Sequence, residues 1–133
     1  MKISNALILT LLFALTGRAA WGGDIYVVCS AGVTITPADV HDVFLGAKQF
    51  AGGVKLAPAD NSAAQAAFLE KVLKMDAAKY TASWTKKSFR DGATQPAVKN
   101  MDAEILEYVK HTPGGCGYIS SAPPAGVVLV GQF

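Results

Sequence analysis

Three polar residues in a row, Asp60-Asn61-Ser62, stand immediately ahead of the run Ala63 to Lys74. A carboxylate, an amide and a hydroxyl at the start of a helix have two uses. They can cap it, accepting hydrogen bonds from first-turn N–H groups that have no partner inside the helix. Alternatively, those open N–H groups and the positive end of the helix dipole can receive an anion, with Asn61 and Ser62 as added donors. Capping is the commoner use, and the residues alone leave both readings open.

Other chemistry finds less support. His41 follows Val40 on a helical pattern, and His111 falls at a helix C-terminus, where the dipole favours a cation. They belong to no paired ligand motif, so no metal site is expected. No Ser-His-Asp or Cys-His arrangement has local motif support, and no Walker-type or dinucleotide glycine pattern occurs, so no cofactor is expected either. Trp84 and Phe89 offer an aromatic ligand wall or, as the spacing of Trp84 from Tyr80 favours, core anchors. Without a clustered acid and base, the chain reads as non-enzymatic.

The elements that would hold these residues follow from pattern. Asp24 to Cys29 is rich in β-branched residues and reads as a strand, broken at Ala31-Gly32. Thr36-Pro37 starts a helix, with Thr36 as N-cap and Asp39 in its first turn; Val40, Val43 and Phe44 share one face, and Gly46 ends it. A turn at Phe50 to Gly53 precedes a short strand, Val54 to Pro58, stopped by the proline. The second helix, Ala63 to Lys74, carries Phe68, Leu69, Val72 and Leu73 as a stripe. A third begins near Asp76, places Tyr80 and Trp84 at i, i+4, and ends by Arg90-Asp91-Gly92. Ala93 to Asn100 reads as a loop around Pro96. The fourth helix, Asp102 to His111, points Leu106 and Val109 inward with Ile105 and Tyr108 flanking. Thr112-Pro113-Gly114-Gly115-Cys116-Gly117-Tyr118-Ile119 then turns sharply and opens a strand, with glycines where a backbone needs room. After Pro123-Pro124, Gly126 to Gly131 is a last, valine-rich strand. The order β-α-β-α-α-α-β-β predicts an α/β layer fold with a small sheet.

The first residues belong to export rather than to the fold. Met1-Lys2 is positive, Ala6 to Leu15 is almost wholly apolar, and small residues follow at Ala19, Ala20, Gly22 and Gly23. This is the plan of a signal peptide, and its apolar part falls well short of the roughly 20 residues a membrane span needs. Cleavage after Gly22 would make residues 1–22 the signal peptide and 23–133 one domain; a cut after Ala19 is the other candidate. No cysteine ends the apolar region, so a lipid anchor is not expected, and the chain reads as periplasmic with no stable membrane insertion. Setting aside Lys2 and Arg18, ten basic residues balance ten acidic ones, which speaks against nucleic acid as a partner.

The motif order resembles a known family. Val-Thr-Ile-Thr, Val-Phe-Leu-Gly-Ala-Lys, Gly-Gly-Val-Lys-Leu-Ala-Pro, Phe-Leu-Glu-Lys-Val-Leu, Trp-Thr-Lys-Lys-Ser-Phe and Thr-Pro-Gly-Gly-Cys-Gly-Tyr-Ile follow one another between Asp24 and Ser120. In that order they resemble one lobe of the substrate-binding component of phosphate ABC transporters, of the type II periplasmic binding protein fold. The resemblance implies a single periplasmic-binding-protein-like (PBP-like) lobe, a small mixed sheet flanked by about four helices. It implies phosphate or another small oxyanion as ligand, bound around Asp60, Asn61 and Ser62, and a membrane transporter or sensor as partner. In such a site Asp60 would accept a bond from a protonated phosphate oxygen and repel a fully ionised one. It also places the strands of Cys29 and Cys116 side by side, and two cysteines in an exported chain usually pair, so a Cys29–Cys116 disulfide is expected.

The sequence departs from the family in three respects. Gly115-Cys116 stands where the family has Ala-Ile in Pro-Gly-Ala-Ile-Gly-Tyr. The stretch after Ser62 turns to alanine and lacks the arginine common in short relatives. Only one lobe is matched. The resemblance thus speaks more for fold than for phosphate capture, and the alternative function is an interaction module that kept the lobe and lost the ligand.

Overall fold

The computed structural model describes residues 24–133; the signal-peptide expectation for residues 1–22 lies outside them. A five-stranded sheet runs in the order β5-β4-β6-β1-β7. Its strands are β1 (Tyr26–Cys29), β4 (Ala57–Asn61), β5 (Ala97–Lys99), β6 (Gly115–Ile119) and β7 (Val128–Gln132), and a separate hairpin is made of β2 (Phe50–Ala51) and β3 (Val54–Lys55). β4 lies parallel to β5 and β6, while β1 is antiparallel to β6 and β7. The sheet is therefore mixed, as the expected α/β lobe requires.

Alternation along the strands gives each face its own core. Val27, Cys29 and Tyr118 point to one side, where α1 (Val40–Phe44), α2 (Gln65–Phe68) and α3 (Ala77–Asp91) cover them. Val28 and Ile119 point to the other, under Ile105 and Val109 of α4 (Asp102–His111). On the first face Phe68 stacks on Tyr118 with centroids 3.8 Å apart, and Phe44 meets Phe68 edge-on at 4.8 Å. Each such buried ring contributes about 1.5–3 kcal/mol by leaving water. Trp84 Nε1 donates to the Phe44 carbonyl at 3.1 Å, tying α3 to the end of α1. Thr36 caps a short 3-10 turn, Pro37–Asp39, that leads into α1, and its N–H donates to Asp39 Oδ2 at 2.8 Å. That bond holds the Asp39 carboxyl below its usual range.

Several elements differ from the pattern reading. The expected turn at Phe50 to Gly53 is part of the β2–β3 hairpin, with Gly52-Gly53 at its tip. The strand expected to stop at Pro58 instead starts at Ala57 and runs through the proline. Ala57 N–H points to Gly114 O on the β6 side at 2.8 Å, so the next position faces the opposite side. There β5 pairs only from Ala59 onward, and no donor is missed at Pro58. β5 itself lies inside the expected loop, too short and too exposed to announce itself.

The second helix begins at Gln65 rather than Ala63, because Asp60 and Asn61 belong to β4. It continues as a π-helical turn, Leu69–Leu73, stopped by Lys74 at φ 56°. On α4, Ile105 and Val109 form the buried spine while Leu106 is only half-buried. Phe89, expected as core anchor or ligand wall, is 90% exposed.

The glycine stretch does what its composition suggested. Gly114 has φ +77°, and a Cβ there would enter the Lys55 carbonyl; a Cβ on Gly117 would lie 2.6 Å from Ile105 Cγ2, so α4 sits directly on bare backbone. Cys29 and Cys116 face each other in the β1–β6 register and are joined by a disulfide. Ser30 N–H donates to Gly115 O, which makes the cysteines a non-hydrogen-bonded pair, the position where facing side chains come closest.

Candidate functional site

Three parallel strands end on one edge of the sheet: β4 at Asn61, β5 at Lys99 and β6 at Ile119. In open α/β sheets, ligands bind outside the carboxyl ends of such strands. The turn Asn61 to Ala64, the start of α4 and Ser120-Ser121 all meet there.

Asp60 and Asn61 are adjacent in a strand and so point to opposite faces. Asp60 turns toward α3. Its Oδ2 accepts from the Tyr80 hydroxyl at 2.8 Å and its Oδ1 from Tyr118 at 2.9 Å, and the residue is 4% exposed. Burial raises the Asp60 carboxyl above its ordinary value, partly offset by the two tyrosine bonds. Burial, with the Asp60 charge second, also holds both tyrosine hydroxyls protonated far above their usual range. Both tyrosines are therefore donors and Asp60 the acceptor.

Asn61 turns toward α4 and is fully buried. Its amide donates to the Tyr118 carbonyl at 3.0 Å, bridging β4 to β6 beyond the pairing of Pro58 with Cys116. The same amide donates to Asp102 Oδ1 at 2.8 Å, and Asn61 Oδ1 accepts from Ala63 N–H at 3.2 Å. Ser62 is exposed, and its N–H and hydroxyl both reach Lys99 O, at 2.9 and 3.1 Å. Ala64, with no side-chain oxygen, takes the N-cap position of α2. The three residues thus fasten the edge together, and only Ser62 faces water.

Asp102 is the residue the sequence reading passed over. Besides the Asn61 amide, its carboxylate accepts from Ser120 N–H at 3.1 Å, Ser120 Oγ at 3.0 Å and Ser121 Oγ at 3.1 Å. A carboxylate in the first turn of α4 is favoured by the helix dipole. The signal available in the sequence was the hydroxyl pair Ser120-Ser121 directly after a buried strand. Its partner across the fold was not readable there. Among the described residues no group of His, Cys, Asp and Glu is arranged to hold a metal ion.

No family model and no curated protein matches this sequence. Among solved structures it is similar to an ABC-type phosphate transport receptor from Vibrio cholerae, with a TM-score of 0.50 and 14% identity. The chain has a PBP-like fold. The match covers 80% of this chain and 44% of the receptor, so the chain spans less than half of that protein's length. At that identity the likeness speaks for the fold alone. Among the described residues no helix is long and apolar enough to cross a membrane.

Proposed function

We propose that the chain is an exported, periplasmic, non-enzymatic solute-binding-like protein that recognises phosphate or another small oxyanion for a membrane transporter or sensor. The observation that carries this reading is the meeting, at the C-terminal edge of β4, β5 and β6, of the Asp60-Asn61-Ser62 segment with the Ser120 and Ser121 hydroxyls and the starts of α2 and α4. The likeness of the fold to a phosphate transport receptor supports it, and the bonded cysteines fit an oxidising compartment.

In this site the roles divide by exposure. The open N–H groups of the first α2 turn donate to the anion, joined by the Ser62 hydroxyl once it turns away from Lys99 O. Asn61 fixes the edge. Asp60, its oxygens taken by Tyr80 and Tyr118, acts from beneath as a positioning group. An anion with one protein wall stays half in water, where each hydrogen bond gains little net energy, so the affinity is on the order of millimolar.

One observation favours the second reading, a non-ligand-binding interaction module. The Asp102 carboxylate already receives the donors that an oxyanion would use at the start of α4. An NMR titration with sodium phosphate, on the wild type and on Asp102→Ser, separates the two. Shifts confined to Ser62 to Gln65 and Ser120-Ser121 in the wild type support solute binding. Shifts in Asp102→Ser alone, or in neither protein, favour the module.

A further inference from the structure

A cleft of about 510 Å³ opens at the other end of the parallel strands, where β4 and β5 begin. One wall is the β2–β3 hairpin with the chain leading into it, the other is the C-terminal end of α3 with the segment Gly92 to Ala97. Its lining combines apolar and cationic groups. Pro58 lies half-buried on the floor, the buried Pro96 and Trp84 each show the cleft an apolar edge, and the Tyr108 ring closes one side. Lys48 and Lys55 also line the cleft; Lys48 acts on the Asp39 carboxyl from a distance, and neither lysine makes a close ion pair with a carboxylate among the described residues.

Further cations stand close by. The stem of Lys87 passes over Gly46, another lining residue, and Lys99 Nζ lies 5.3 Å from the Tyr108 ring centroid. The acidic residue of the lining, Asp91, is engaged by Lys87 at 3.9 Å and Arg90 at 3.7 Å. The cleft is thus an apolar floor under a positive rim, within the size range of small-molecule sites.

We infer that this cleft binds a small organic anion, its apolar body packed on Trp84, Pro58 and Pro96 and its carboxylate or phosphate held by Lys48 and Lys55. A bare inorganic ion would gain nothing from the apolar floor, and a neutral molecule would gain nothing from the two lysine charges at the rim. The reading is independent of oxyanion binding at the opposite edge.

The test is an NMR titration of the mature protein with benzoate, with benzamide and acetate as partial probes. Benzoate is expected to move the Trp84 indole N–H and the amides of Lys48, Lys55 and Gly92 to Thr94. Benzamide, which lacks the charge, and acetate, which lacks the ring, should each bind at least tenfold more weakly. The surface variant Lys48→Gln/Lys55→Gln should raise the benzoate Kd at least tenfold, while Lys79→Gln, a cation of α3 outside the cleft, leaves it unchanged. Equal binding of benzoate and benzamide overturns the proposal without need of any variant. So does a benzoate response centred on Ser62 to Gln65, no response at all, or an equal loss in Lys79→Gln.

Discussion

Replacing Tyr80 with phenylalanine removes one of the two hydroxyls that hold the buried Asp60 carboxylate, and the cost should depend on pH. Asp60 Oδ2 loses its 2.8 Å bond and keeps only the Tyr118 donor on Oδ1. A hydrogen bond to a charged group contributes about 1.5–3 kcal/mol net, so the loss at neutral pH should fall in that range. The wild-type carboxyl already has a raised value in the fold, against 3.8 for the free group. A raised acid binds its proton more tightly folded than unfolded. Its contribution is therefore most favourable below about pH 4 and is lost as pH climbs through the folded value. Tyr80→Phe removes a bond that favours the anion and lifts that folded value further. The stability difference between wild type and variant should consequently widen from pH 4 to pH 8, by about 1.4 kcal/mol for every tenfold tightening of the folded carboxyl's hold on its proton. Urea unfolding followed by circular dichroism at a series of pH values measures this. A difference that is constant with pH, or that narrows toward pH 8, would show that the hydroxyl does not stabilise an ionised Asp60, and the argument would fail.

Gly114→Ala combines a left-handed φ with a clash against the Lys55 carbonyl; it should cost at least about 3 kcal/mol, since neither backbone can yield, and appear as a large drop in urea midpoint. Reducing Cys29–Cys116, which spans 87 positions, should cost roughly 4–5 kcal/mol in the chain-entropy model, read from unfolding with and without reductant. A non-reducing mass heavier by about two hydrogens would show the bond absent. Lys74→Gly, at the exposed left-handed stop of the π turn, should stabilise by about 1 kcal/mol in thermal unfolding.

What the sequence determined by itself was whatever local chemistry enforces. The helix α3 was legible from the Asp76 cap, whose side chain accepts from Lys79 N–H at 2.7 Å, and from Tyr80 and Trp84 four residues apart. The Thr36-Pro37 start was legible because a capping residue and a fixed φ leave little choice. Gly114 and Gly117 were marked as places of close approach because only glycine tolerates a left-handed turn or a bare packing surface. The α/β layer fold with a small sheet followed from the order of such elements, and the single lobe from the family resemblance.

Tertiary structure decided the rest, because the deciding partners lie far along the chain. Asp60 and Asn61 read as a helix cap until β5 and β6 draw them into a strand, where Tyr80, Tyr118 and Asp102 satisfy them from 20 to 58 positions away. β5 exists only because β4 offers an edge to three residues, two of them exposed. Ile105 rather than Leu106 faces inward because Gly117 opens space under that one position of α4. Phe89 is of a core residue's type, yet five positions after Trp84 it falls roughly 140° around α3 from the buried Tyr80–Trp84 face and stands in water. A side chain's type sets what it can bond to; only the packed fold sets which partner arrives first.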